Sequence, residues 1–351
     1  MENNTPVITK ETKNKIHVDY EGKLTFKERL ISKIKTSNTW IMAAINVFRF
    51  ILMLGVSFVI LYPFFARIAG SFMAKEDIVD PTVSLIPKHF SLDIYKYLIT
   101  ENHYFDAVWN TLLLSLTCAI IQTLISCLIG YGLAKFKFKG NGIIMGLVVL
   151  TMVIPHRAFE FAMRGQLSNF DLFTIKTWGY TGPIEAIFGE PLQLADTFWP
   201  MILLSVFGLA LKNGLYIYLM RQFFKGVPDE LEESAYVDGS GVFRTFFQII
   251  IPLSVPMMIT VFIFSFSWQW TDEFYTEMFW SRYSEFYLMR DVYGQAPDSL
   301  LKLQDTFTGW HMYSVVIQNT AGMLIIAPLI ILYLFCQKYL VQGIERSGLV
   351  G

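Results

Sequence analysis

Pro228-Asp229-Glu230-Leu231-Glu232-Glu233-Ser234-Ala235-Tyr236-Val237-Asp238-Gly239, followed by Ile249-Ile250-Ile251-Pro252, is an acidic helix-and-turn set inside an apolar chain. The helix formers around Glu232 and Glu233 predict a short helix after Pro228, and Gly239 supplies a left-handed residue to stop it. The apolar run that opens at Ile249 predicts a membrane helix close behind. The stretch reads as a knob at a membrane surface, shaped for docking.

Working outward, the chain has 351 residues, 54% hydrophobic and 16% charged, with a mean hydropathy of +0.44. That lies outside the range of soluble domains and predicts an all-α, polytopic membrane protein. A net charge of -1 points to neither nucleic acid nor a strongly charged substrate, although local patches can still bind anions. Cys118, Cys127 and Cys336 fall in apolar runs, and the first two are nine apart on one predicted helix, so no disulfide framework is expected. Residues 1–48 form a basic lead, too long and polar for a cleavable signal peptide. Within it Leu24, Phe26, Leu30, Ile31 and Ile34 alternate with basic residues at near-helical spacing, as in an amphipathic helix lying on the membrane. Residues 1–20 read equally well as a disordered basic tail.

Six stretches are long and apolar enough to span a bilayer, approximately Phe50–Phe72, Val108–Ala134, Ile143–Met163, Phe198–Met220, Ile249–Trp270 and Ser314–Gln337. Lys and Arg on the alternating flanks number 16 on the N-terminal side and 8 on the other, which places the N-terminal side in the cytoplasm. The loop Lys135-Phe136-Lys137-Phe138-Lys139-Gly140 contributes most sharply. Six spans then put both termini and the acidic helix inside. The outward segments, about 74–106, 164–198 and 271–313, are long enough to form small folded caps.

Lys212, in Leu209-Ala210-Leu211-Lys212-Asn213-Gly214, sits near the middle of the fourth apolar run. It reads either as a solute contact or helix break lining a pathway, or as an interfacial lysine on a helix that begins later. The run Ser265-Phe266-Ser267-Trp268-Gln269-Trp270-Thr271-Asp272-Glu273-Phe274 has the aromatics of a membrane interface, and the same rings beside amides and carboxylates suit sugar faces. Lys212, Asn213, Trp268, Trp270 and Asn319 are the candidate pathway residues. Pro63, Pro155, Pro200, Pro252, Pro256 and Pro328 fit kinked helices around a cavity, and equally plain helix packing. The chain has no G-x-x-x-x-G-K-[ST], H-E-x-x-H, C-x-x-C or G-x-S-x-G motif, and its five histidines are scattered, so neither a catalytic nor a metal site is expected.

These features together resemble a permease subunit of binding-protein-dependent ABC importers, in the carbohydrate branch typified by the second maltose permease. That family's signature, E-A-A, three residues, Gly, nine residues, I-x-L-P, is matched by Glu233-Ser234-Ala235, Gly239 and Ile249-Ile250-Ile251-Pro252. Ser234 and Ile251 depart from it. Tyr62-Pro63-Phe64, Asn110-Thr111-Leu112, Tyr131 to Gly140, Arg221-Gln222-Phe223-Phe224, Trp270 to Phe274 and Gln337 to Gly343 resemble further family segments, while Gly165–Thr197 is longer than usual.

The resemblance implies a type I ABC importer permease fold over 49–351, behind a cytoplasmic tail over 1–48. It implies a bacterial cell-membrane location and an ATPase-coupling element at about 226–248 carried by Glu230, Glu232, Glu233, Ser234, Ala235, Asp238 and Gly239. The implied partners are a second permease subunit, a cytoplasmic ATPase dimer that holds the ATP and Mg, an extracytoplasmic solute-binding protein and the lipid bilayer. This chain would then bind no cofactor of its own. A secondary transporter or channel acting alone is the rival, and it calls for inverted repeats and several intramembrane charges where Lys212 stands as the one serious candidate.

Overall fold

In the computed structural model residues 7–12, 15–19, 37–171, 182–280, 286–294 and 307–348 are described, and the chain divides into two compact units, 1–66 and 67–351. The segment Leu24–Ile34, expected as a surface helix, lies outside the described residues. The first unit contains an antiparallel hairpin, β1 (Val7–Thr12) on β2 (Lys15–Asp19), and most of helix α1 (Ser37–Ser71). Val7, Ile8, Thr9, Thr12, Ile16 and Val18 are β-branched, which favours strands over the disordered tail considered for residues 1–20. Helix α1 begins well before Phe50 because Trp40 to Ile45 prolong the apolar run beyond Arg49. It is apolar on all sides, with Arg49 and Arg67 its only charges.

The second unit is mostly helical. Short helices α2 (Lys75–Val79) and α3 (Asp93–Thr100) lead into the long α4 (Tyr104–Lys135). Then come α5 (Asn141–Val153), a 3-10 turn (His156–Phe159) and α6 (Glu160–Ser168). A small strand pair, β3 (Asn169–Phe170) with β4 (Leu192–Gln193), brackets α7 (Pro183–Phe188). Next are α8 (Trp199–Val206), α9 (Asn213–Lys225), α10 (Glu230–Val237) and α11 (Val242–Thr245), which a π-turn (Phe246–Ile250) joins to α12 (Ile251–Trp270). Helices α13 (Phe274–Phe279), α14 (Met289–Gly294) and α15 (Phe307–Gly348) complete the unit.

Among the described residues four helical stretches are long and apolar enough to cross a membrane: Ile41–Ser71, Tyr104–Lys135, Val242–Trp270 and Met312–Leu340. The two remaining expected spans are broken. In the third, α5 and the following turn-helix segment meet at a bend of 96°. Pro155 lacks an N–H and disfavours helical geometry at the residue before it, and Ile154 is accordingly extended at φ -72° and ψ 124°. The fourth, expected as one helix over Phe198–Met220, stops at Val206 and restarts at Asn213. Gly208 and Lys212 are left-handed at φ 69° and 65°, which interrupts the helical ladder.

Helix α4 runs through the centre and packs on α8, α9 and α12. Gly130 permits the closest approach: a Cβ there would stand 2.7 Å from Met220 Cβ and 2.9 Å from the Arg221 amide nitrogen. Around that crossing Cys127, Tyr131, Tyr216, Met220, Phe224, Phe246, Ile250 and Met257 form one buried cluster. A second joins Leu114 and Cys118 to Met201, Leu204, Tyr275 and Phe279. Pro328 cannot donate to the Leu324 carbonyl, and the carbonyls there are satisfied from outside α15. Tyr104 Oη donates to Leu324 O at 3.0 Å, and Trp270 Nε1 donates to Ile325 O at 2.9 Å.

The longer-than-usual segment after α6 is folded where it is described. The buried Asp171 carboxylate accepts the Ile184 and Glu185 amides at 2.9 and 3.0 Å, closing the first turn of α7.

Candidate functional site

Two places concentrate polar groups, and α9 runs from one to the other. The first is the acidic corner beyond the C-terminal end of α9. Helix α10 spans Glu230–Val237, and the Ser240 amide reaches back to Ala235 O at 2.9 Å across Gly239, whose φ is 83°. The left-handed stop read from the sequence is therefore present.

The corner is held from inside by Lys135 at the end of α4. Its side chain is 7% exposed, and Nζ donates to Val227 O and Asp229 Oδ1, both at 2.5 Å, with Glu232 Oε1 at 3.7 Å. Tyr131 Oη donates to Glu232 Oε2 at 3.2 Å, and its ring packs on Phe224 and Phe246. The Lys135 ammonium holds the Asp229 carboxyl below the usual carboxylate range.

The coupling candidates divide by helix face. Glu232 and Ala235, three residues apart on one face of α10, are buried against the chain itself. The expected outward contacts of these two are therefore corrected, since a carboxylate bonded to Tyr131 and facing Lys135 is not presented to a partner. Glu230, Glu233, Ser234, Asp238 and Gly239 are exposed, as are Leu231, Tyr236 and Val237. A Cβ on Gly239 would meet nothing within 4 Å, and the exposed rings of Phe243 and Phe247 follow just after the turn.

The second place is a cavity of about 660 Å³ at the two helix breaks. It is lined by α5, α6 and the turn between them on one side, and by α8, the break and the start of α9 on the other. Leucines dominate the lining, and His156, Gln166, Lys212 and Asn213 bring the main polar groups. Lys212 caps the N-terminus of α9 and lays Nζ 5.0 Å from the centroid of the Trp268 ring, a cation–π contact. Asn213 is fully buried, and among the described residues neither Oδ1 nor Nδ2 has a hydrogen-bond partner.

Beside this cavity a further small space is bordered by Gln122, Leu211, Ser265, Trp268, Gln269, Asp272 and Tyr275. Ser265 Oγ donates to Gln122 Oε1 at 2.6 Å and Gln122 Nε2 donates to Ser205 Oγ at 3.0 Å, tying α12, α4 and α8 together through buried polar groups. Tyr275 Oη and His156 Nδ1 share a hydrogen bond of 2.7 Å. Asp272, just past α12, accepts the Tyr275 and Thr276 amides, and burial pushes its carboxyl up to about 6.

The structure thus brings Lys212, Asn213 and Trp268 together and leaves two candidates elsewhere. Trp270 is 2% exposed, stacks on Phe266 and spends its N–H on α15, a packing role. Asn319 is half-buried on α15 and does not line the cavity. Sequence reading missed Gln122, which carried no motif, and quoted Tyr131 and Ser265 inside longer segments without the contacts they make here. Lys135 was read only as a topological charge. Among the described residues no cluster of His, Cys, Asp or Glu is arranged to hold a metal ion.

Long apolar helices, two broken helical passages around a cavity and an exposed acidic helix-turn define a polytopic membrane protein of the solute-permease class. Residues 122–346 match the family described as binding-protein-dependent transport system inner membrane component, and the chain belongs to that family. It is 27% identical over 322 residues to the polygalacturonan/rhamnogalacturonan transport system permease protein YtcP of Bacillus subtilis (strain 168), covering 87% of this chain and 97% of that one. It is 28% identical to the arabinooligosaccharides transport system permease protein AraQ of the same organism, covering 84% and 92%. In fold it is similar to a chain of a bacterial ABC transporter involved in the import of the acidic polysaccharide alginate. The TM-score there is 0.62 and the identity 19%, over 87% of this chain and 98% of that chain.

Proposed function

We propose that this chain is one permease subunit of an ATP-driven carbohydrate importer in the bacterial inner membrane. It would cross the bilayer six times, with α5–α6 and α8–α9 each counting as one broken passage and both termini in the cytoplasm. The cargo is an oligosaccharide, in keeping with the relatives' names, and this subunit supplies half of the pathway. A second permease completes the pathway, and an extracytoplasmic binding protein delivers the solute.

The observation that carries the reading is the acidic corner. Its exposed face offers Glu230 and Glu233 beside Tyr236 and Val237, and its turn residue Gly239 has open space in front of it. Exposed acids with an apolar centre and a side-chain-free turn suit the groove of a basic partner. A separate ATPase would seat there and supply ATP and Mg. Lys135 passes its motion to α4, and α9, about 20 Å long, links the corner to the cavity.

The test is to replace Glu233→Lys or Gly239→Val and measure ATPase co-purification and solute uptake. The expected result is normal membrane insertion with at least one of docking and ATP-coupled uptake lost in each variant. Normal co-purification together with normal uptake in both would overturn the docking role of this corner and place the ATPase contact elsewhere.

A further inference from the structure

The cavity carries a charge pattern that an apolar pathway for neutral sugars does not need. Among the described residues its lining includes Lys212 and His156 and no Asp or Glu. Among the described residues no carboxylate lies within ion-pair distance of Lys212 Nζ, whose contact is the face of Trp268. The acid nearest in the chain's own polar cluster, Asp272, is buried and bonded to the amides of α13 instead. An ammonium in a membrane passage without a counter-ion is costly, so its presence points to an anion supplied from elsewhere.

Three further features converge on the same spot. The N-terminus of the 13-residue α9 opens at Lys212, adding the positive end of its dipole. Asn213, next in sequence, lines the cavity with both polar atoms buried and unpartnered, an arrangement that costs free energy until a ligand hydroxyl or carboxylate pairs with it. Trp268, 48% exposed, borders the adjoining small space and joins the cavity through its contact with Lys212, and its ring is of the kind on which a sugar face packs.

We propose that the solute is an acidic saccharide, and that Lys212 binds its carboxylate while Asn213 and Trp268 take a neighbouring hydroxyl and ring face. This inference rests on the permease reading above and narrows it, from saccharides in general to those bearing uronate groups. The volume of about 660 Å³ suits a short oligosaccharide and not a folded polymer. Lys212 stands in the helix break at φ 65°, and its ammonium rests over the Trp268 ring at 5.0 Å.

The experiment measures binding of digalacturonate and of its neutral dimethyl ester to the assembled importer in nanodiscs, made once with zwitterionic lipid and once with added anionic lipid. The unaltered complex should prefer digalacturonate by about tenfold or more. Lys212→Met should weaken digalacturonate by about ten- to a hundredfold while leaving the ester within about twofold. Lys212→Arg should retain most of the preference, which separates charge from fold. Equal binding of acid and ester by the unaltered complex would overturn the inference while leaving the saccharide reading intact. Equal weakening of both probes by Lys212→Met would assign the lysine a structural role. A preference that vanishes with the lipid charge rather than with the solute charge would assign it to a lipid headgroup. Absence of binding by either probe would overturn the inference and count against the saccharide reading as well.

Discussion

The two ends of α9 treat polar groups in opposite ways. At its C-terminal end Lys135, Asp229, Glu232 and Tyr131 answer one another within the chain. At its N-terminal end, among the described residues, Lys212 has a ring and no carboxylate, and the Asn213 side chain has no hydrogen-bond partner. Evolution of a stable helix bundle tolerates the first arrangement easily, since paired charges can be buried when their geometry is good. The second leaves polar groups open for a water or another molecule to complete. On the proposed function the closed corner serves as a mechanical joint with its exposed face turned outward, and the open cavity as the place where solute enters.

The largest effect expected from breaking this contrast is at Lys135. Lys135→Met leaves the buried Glu232 without its cation and frees the Val227 carbonyl, and should destabilise the permease by about 3 kcal/mol in detergent unfolding. Adding Glu232→Gln to that variant should recover about 1 kcal/mol or more, because the amide can still accept from Tyr131 without carrying a charge. If the double variant is no more stable than the single one, the joint is not electrostatic.

An intermediate effect follows from Asp272. Its carboxyl is raised to about 6 by burial, so the folded chain holds a proton that the unfolded chain releases near pH 4. Stability contributed by this group is complete below about pH 4, falls as pH rises through about 6, and is level above that. The fall amounts to about 2–3 kcal/mol, and Asp272→Asn should flatten it in unfolding measured from pH 4 to pH 7. A slope unchanged in that variant would place the titration elsewhere.

The smallest effect belongs to the open end. Asn213→Leu removes a buried amide that bonds to nothing, and stability should change by less than about 1 kcal/mol, in either direction, while solute binding is lost. A stability loss as large as that of Lys135→Met would erase the distinction between the two ends.

Much of this was legible in the sequence, and the failures have physical causes. Long apolar runs gave α1, α4, α11–α12 and α15, and the spacing from Glu233 to Pro252 located the acidic helix and its left-handed stop. Hydropathy averages over a window, so it smoothed across Ile154–Pro155 and Phe207–Lys212 and returned two intact spans where the backbone breaks. The inward turn of Glu232 depends on Tyr131 and Lys135, about 100 residues away, and no local pattern encodes that pairing. Trp270 looked like Trp268 in the sequence. Two residues of helix rotate one toward the Ile325 carbonyl and leave the other at the cavity cation.

The outward face of α10 is tested most directly by cross-linking. Val237 is 87% exposed and Ala235 4%, on the same short helix. With a single cysteine placed at either position of the assembled importer, a short thiol-to-amine reagent should join Val237→Cys to the ATPase in high yield and leave Ala235→Cys unlinked. Failure of Val237→Cys to link, or linkage from both positions alike, would contradict docking through this face.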